Sequence, residues 1–180
     1  MRRIDDDERR ARLGHRHRLA PAAQAEAGAE GAVDVARSLV AFHATDPSSV
    51  YLSARARLAG GGSPDHVSQA LYDDRTLLRM LGMRRTMFVV PTDAAPVVQA
   101  GATDAIAERE TRRLVKLLGD VGIPDGERWL ADARAATLAA LEVRGEALAV
   151  ELSADVPSLR TRFTYAEGKA YGADVTFTSQ

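Results

Sequence analysis

Residues 42–47 read Phe-His-Ala-Thr-Asp-Pro and place an imidazole (His43), a hydroxyl (Thr45) and a carboxylate (Asp46) within four positions. Imidazole is the side chain whose ordinary titration lies near neutrality, so His43 can take a proton from a water molecule. Asp46 can act as base or electrostatic partner, and Thr45 can orient the water by hydrogen bonding. The same letters also have a purely structural reading. A histidine near a helix C-terminus is favoured by the helix dipole, and an aspartate before proline caps the helix that follows. The residues alone leave both readings open.

The elements around this corner follow from hydrophobic spacing. Val33, Ala36, Leu39 or Val40 and His43 recur at a helical period, which predicts an amphipathic helix closed by Pro47. Asp46-Pro47 and Ser63-Pro64 are each a cap candidate followed by proline at the first helical position, so two helices are expected to begin there. Gly60-Gly61-Gly62 lies between them and lacks the Gly-Lys-Ser/Thr ending of a phosphate-binding loop, so it reads as a connector. Leu77–Leu81 and Thr86–Val90 flank Gly82-Met83-Arg84-Arg85 and predict a β-hairpin ended by Pro91. Arg75, Arg79, Arg84 and Arg85 carry four positive charges with no acid among them, the clearest polyanion-facing feature of the chain.

Beyond the hairpin, Thr92 or Asp93 is expected to cap a short helix and Thr103-Asp104 a longer one ending before Gly119. Trp129 anchors a further amphipathic helix, and Gly145 precedes a short one stopped by Pro157. Arg160, Arg162 and Lys169 then alternate with Phe163, Tyr165 and Tyr171, and Thr176 to Ser179 look like the start of another helix. A compact domain seldom stops where a helix should begin, so the 180 residues are expected to be an N-terminal portion of a longer protein.

Composition narrows the class. With 46% hydrophobic and 27% charged residues the chain can bury a core, and a net charge of −1 argues against a uniformly basic nucleic-acid binder, so local charge decides. The absence of cysteine removes thiol nucleophiles, disulfides and cysteine-based zinc sites, and fits a cytoplasmic protein. No apolar run approaches the ~20 residues a membrane helix needs. Residues 1–18 hold seven arginines, four acids and two histidines and read as a charged arm or surface helix. His15 and His17 have no evident third ligand, so neither a metal nor any other cofactor is expected.

Helices followed by an arginine-tipped hairpin are the element order of a winged helix-turn-helix module. Taken together, "VDVARSLVAFHATD", "SPDHVSQAL", "LLRMLGMRRTMFVVP" and "VTFTSQ" resemble the bacterial winged-helix proteins that include the AlkZ-like and YcaQ-like DNA glycosylases. The closest stretch is Met83 to Pro91, beside the family's Met-Arg-Gly-Thr-Leu-His-x-Val-Pro, from which Arg85 and Phe88 depart. The resemblance implies a mainly α fold with small β-hairpin wings in tandem winged helix-turn-helix domains. A charged arm would span 1–18, a first module 19–102 and the start of a second 103–180. It also implies a protein acting on double-stranded DNA, either as a repair glycosylase for alkylated or cross-linked bases or as a non-catalytic winged-helix binder or regulator; a monomer is expected. The family's Gln-x-Gln or Gln-x-Asp motif falls on His43-Ala44-Thr45, which with Asp46 makes the candidate catalytic set. Arg75, Arg79, Arg84 and Arg85 make the candidate DNA-binding set.

Overall fold

The computed structural model describes residues 4–165 and 173–176, and the protein is mainly α with small antiparallel sheets. It divides into two compact units, 1–107 and 108–180.

In the first unit, α1 (Asp6–Arg16) is a surface helix with no buried residue that starts on the Asp5 carboxylate, which accepts from the Glu8 amide at 2.8 Å. Helix α2 (Ala29–Leu39) buries Ala32, Val33, Val35 and Ala36 and stops at Val40, whose φ of +74° is a left-handed conformation rare for a β-branched residue. The chain then reverses into β1 (Phe42–His43) and turns into α3 (Pro47–Arg55). Arg57, just after α3, is partly buried; it donates to the carbonyls of His17 and Ser53, and burial pushes its guanidinium below the ordinary value. Helix α4 (Pro64–Ser68) continues through a π turn, Gln69–Asp73. His66 fixes its start, because Nδ1 accepts from both the Gly28 amide (3.1 Å) and the Ser63 amide (3.3 Å).

The hairpin follows as β2 (Leu77–Leu81) and β3 (Met87–Pro91), and the sheet order is β1-β3-β2, antiparallel throughout. Phe42, Ala44, Val50, Ala54, Leu58, Val67, Ala70, Leu77 and Val89 form one apolar core beneath the sheet and helices. Complete burial of Phe42 removes its whole ring from water, on the order of 2–3 kcal/mol of favourable transfer.

Three expectations change in this unit. His43 does not lie on a helix face: α2 ends four residues earlier, and Phe42 and His43 add a third strand to the hairpin by pairing with Val89 and Phe88. The period read through Leu39 to His43 is interrupted at Val40. Thr92 and Asp93 also cap nothing, since Thr92 Oγ1 donates to the Arg75 carbonyl (2.9 Å) and Asp93 pairs with Arg37 (3.0 Å). Thr103 likewise turns its hydroxyl to the Leu81 carbonyl (2.6 Å), because α5 (Ala95–Val98) runs through a second π turn into α6 (Asp104–Asp120) without a break to cap.

The second unit contains most of α6, then α7 (Gly126–Arg144), α8 (Ala149–Asp155) and the two-stranded sheet of β4 (Arg162–Tyr165) and β5 (Ala173–Thr176). Leu118, Leu130, Ala133, Val156 and Leu159 are its buried apolar residues among those described. Trp129 is only half-buried, so Leu130 and Ala133 do the anchoring expected of it. Arg144 at the end of α7 pairs with Glu151 and Asp155 of α8. Thr176 is the last residue of β5; Lys169, Tyr171 and Phe177 to Gln180, and with them the helix start expected over Thr176 to Ser179, lie outside the described residues.

Candidate functional site

The corner is built by three constraints that meet between β1 and α3. Strand pairing sets the first: His43 is directly opposite Phe88, which is opposite Met80 on β2, so these side chains form a row across one face. The ring of Phe88 meets the imidazole edge-on, with centroids 5.4 Å apart and planes at 85°. Such a pairing fixes ring orientation and contributes about 0.5–1.5 kcal/mol beyond burial when both partners are aromatic. His43 remains exposed, and its ring nitrogens have no hydrogen-bond partner among the described residues. They are therefore open to water or substrate.

The second constraint is the cap. Asp46 accepts from the Ser48 amide (3.1 Å) and from Ser48 Oγ, whose distances to the two carboxylate oxygens are 2.9 and 2.8 Å. Ser49 Oγ lies 2.8 Å from the His43 carbonyl and 2.6 Å from the Asp46 carbonyl, which ties the strand end to the helix start. Both serines sit in the first turn of α3, where backbone amides lack helical partners and a side-chain oxygen is strongly preferred. Thr45 stands exposed between them and the strand.

Arg79 supplies the third constraint. It belongs to β2, yet its Nη2 reaches across the sheet to the Ala44 carbonyl at 3.4 Å. The Ala44 amide in turn donates to the Met87 carbonyl at 2.8 Å. One of the four candidate DNA-binding arginines therefore leaves a cationic group beside His43, Thr45 and Asp46.

The other three separate. Arg84 and Arg85 form the turn at the apex of the hairpin, with φ of +57° and +61°. Arg75, with φ of +52°, precedes β2 at the opposite end, about 13 Å of strand away at ~3.3 Å per residue. The four charges thus do not share one turn. Two stand at the apex, one braces the corner and one lies at the base beside Asp74. Sequence reasoning did not assign Ser49 or Phe88 a part in the corner. The serine two residues after Asp-Pro was a readable signal; the pairing of Phe88 with His43 was not, because it depends on β1.

Among the described residues no group of three or more His, Asp or Glu side chains is placed to hold a metal ion. None of the helices there is long and apolar enough to cross a membrane.

A helical unit whose small sheet joins an exposed His-Thr-Asp corner to an arginine-tipped hairpin is a scaffold for meeting a polyanion. Residues 36–177 match the model of the family described as DNA glycosylase AlkZ-like, and the chain belongs to that family. Membership places it among the DNA glycosylase-like proteins of DNA repair, and DNA is the polymer such proteins address. No curated protein and no solved structure matches the chain.

Proposed function

We propose that the protein is a tandem winged-helix DNA glycosylase that works as a monomer, without a cofactor, on duplex DNA in the cytoplasm. It hydrolyses the N-glycosidic bond of an alkylated or cross-linked base. An alkylated purine is already cationic and leaves readily, so the enzyme has mainly to deliver water to C1′ and stabilise an oxocarbenium-like transition state. His43 accepts a proton from that water, whose oxygen bonds to C1′ as the C1′–N bond breaks and its electron pair departs with the base. Thr45 orients the water. Arg84 and Arg85 hold backbone phosphates, and Arg75 adds a weaker contact. The observation that carries the reading is the exposed, oriented imidazole of His43 at the junction of strand and capped helix, with no hydrogen-bond partner on its ring nitrogens among the described residues.

A second reading, a winged-helix protein that binds DNA without cleaving the glycosidic bond, is favoured by one specific feature. The Asp46 carboxylate is already engaged by Ser48 as a helix cap. Duplex DNA containing N7-alkylguanine or N3-alkyladenine separates the two. Base release that falls about 10²- to 10⁴-fold in His43→Ala, with DNA affinity retained, supports the glycosylase. Salt-sensitive binding without any release supports the second reading.

A further inference from the structure

We propose that the hairpin apex is a wedge: Met83 enters the minor groove and unstacks the step beside the target nucleotide, while helix α4 faces away from the DNA. This rests on the reading of the protein as a DNA binder and adds how it grips.

Met83 is 63% exposed at the apex, immediately before Arg84 and Arg85. An unbranched apolar side chain there gains nothing from water but fits between base pairs, which are unstacked by such inserted side chains in minor-groove binders. Chemistry on a base also requires that it leave the stack, so an element that opens the step serves the same reaction.

The apex is stiff enough to wedge. The Gly82 amide donates to the Thr86 carbonyl (2.9 Å), the Arg85 amide to the Gly82 carbonyl (3.2 Å) and the Thr86 amide to the Met83 carbonyl (3.2 Å). Thr86 Oγ1 also donates to the Met83 carbonyl at 2.9 Å. Phe88 packs so closely on Gly82 that an added Cβ would lie 2.8 Å from its ring, so any larger residue there would push the turn off its support.

Charge points the same way. Over residues 64–74, α4 and the turn after it expose Asp65, Asp73 and Asp74 and no lysine or arginine. His66 turns its Nδ1 inward, where it accepts from the Gly28 and Ser63 amides. An acidic helix entering a groove walled by phosphates meets repulsion from both strands. The arginines of the hairpin meet the opposite sign.

The test uses a duplex with 2-aminopurine next to a tetrahydrofuran abasic site, with binding and fluorescence measured together. The wild-type protein is expected to bind and raise the fluorescence several-fold. Met83→Ala loses most of that rise at saturating protein with little change in affinity, and Met83→Leu restores it. Arg84→Ala plus Arg85→Ala lowers the slope of log K against log salt by about 1.8. Asp65→Asn plus Asp73→Asn does not weaken binding. A full rise in Met83→Ala, or binding by the wild type without any rise, overturns the wedge and leaves the DNA-binding reading intact. Failure of the wild type to bind duplex DNA at all overturns both.

Discussion

Replacing Arg85 by glycine is expected to make the protein more stable and worse at holding DNA. Arg85 sits at φ +61°, where a Cβ is crowded against the backbone at a cost of roughly 1–2 kcal/mol. Glycine removes that strain but adds freedom to the unfolded chain, returning about 0.5–1 kcal/mol, which leaves a net gain of about 0.5–1 kcal/mol. The family pattern carries glycine at this place, as the backbone geometry favours. Arg85→Ala is the control, because it loses the same charge and contacts yet keeps the Cβ and hence the strain. Urea unfolding followed by circular dichroism should place the glycine variant above the alanine variant by about 0.5 M, taking ~1 kcal/mol over a slope of ~2 kcal/mol per molar. Both variants should lose DNA affinity equally and reduce the salt slope by about 0.9. A glycine midpoint at or below that of alanine would refute the claim that the left-handed turn constrains this residue. Unequal losses of affinity would refute the claim that arginine is kept there for its charge.

Asp46 can be tested for its two roles separately. Asp46→Asn keeps a good cap and should match the wild type in stability within a few tenths of a kcal/mol, whereas Asp46→Ala should lose about 1 kcal/mol; base release by the asparagine variant then reports whether the negative charge matters. In the second unit, hydrogen bonding and charge from Arg144 hold the Asp155 carboxyl below its ordinary value. Its contribution to stability is present above the unfolded carboxylate range and lost as pH falls through the depressed folded value. Carboxyl-carbon NMR should show Asp155 titrating lower than in Arg144→Met, and an unchanged midpoint in that variant would contradict the assignment.

The elements that sequence made legible are those whose signals are local. Asp46-Pro47 and Ser63-Pro64 start helices as expected, because a cap oxygen and a pre-set proline φ act within one turn. The hairpin falls where its apolar runs and Gly82 put it, within a residue. What stayed hidden depends on distant partners. Val40 carries no glycine or asparagine to announce a left-handed stop, so the helical period ran on to His43. The hydroxyls of Thr92 and Thr103 read as caps, but tertiary carbonyls 17 and 22 residues away claim them. Arg79 counted as one more surface charge, and only the folded sheet shows its guanidinium braced against the corner. The corner's residue types were therefore readable from the chain, while its geometry was not.

The ladder between His43 and Phe88 joins positions 45 residues apart, since 88 − 43 = 45. During synthesis the imidazole leaves the ribosome long before its partner strand exists, and until then β1 has no neighbour to align it. The strand half of the corner is thus aligned only when the hairpin closes, whereas the Asp46 cap belongs to the first turn of α3 and needs no strand. Separation of β1 from β3 would free the imidazole from the ring of Phe88, and re-pairing would restore the edge-on contact.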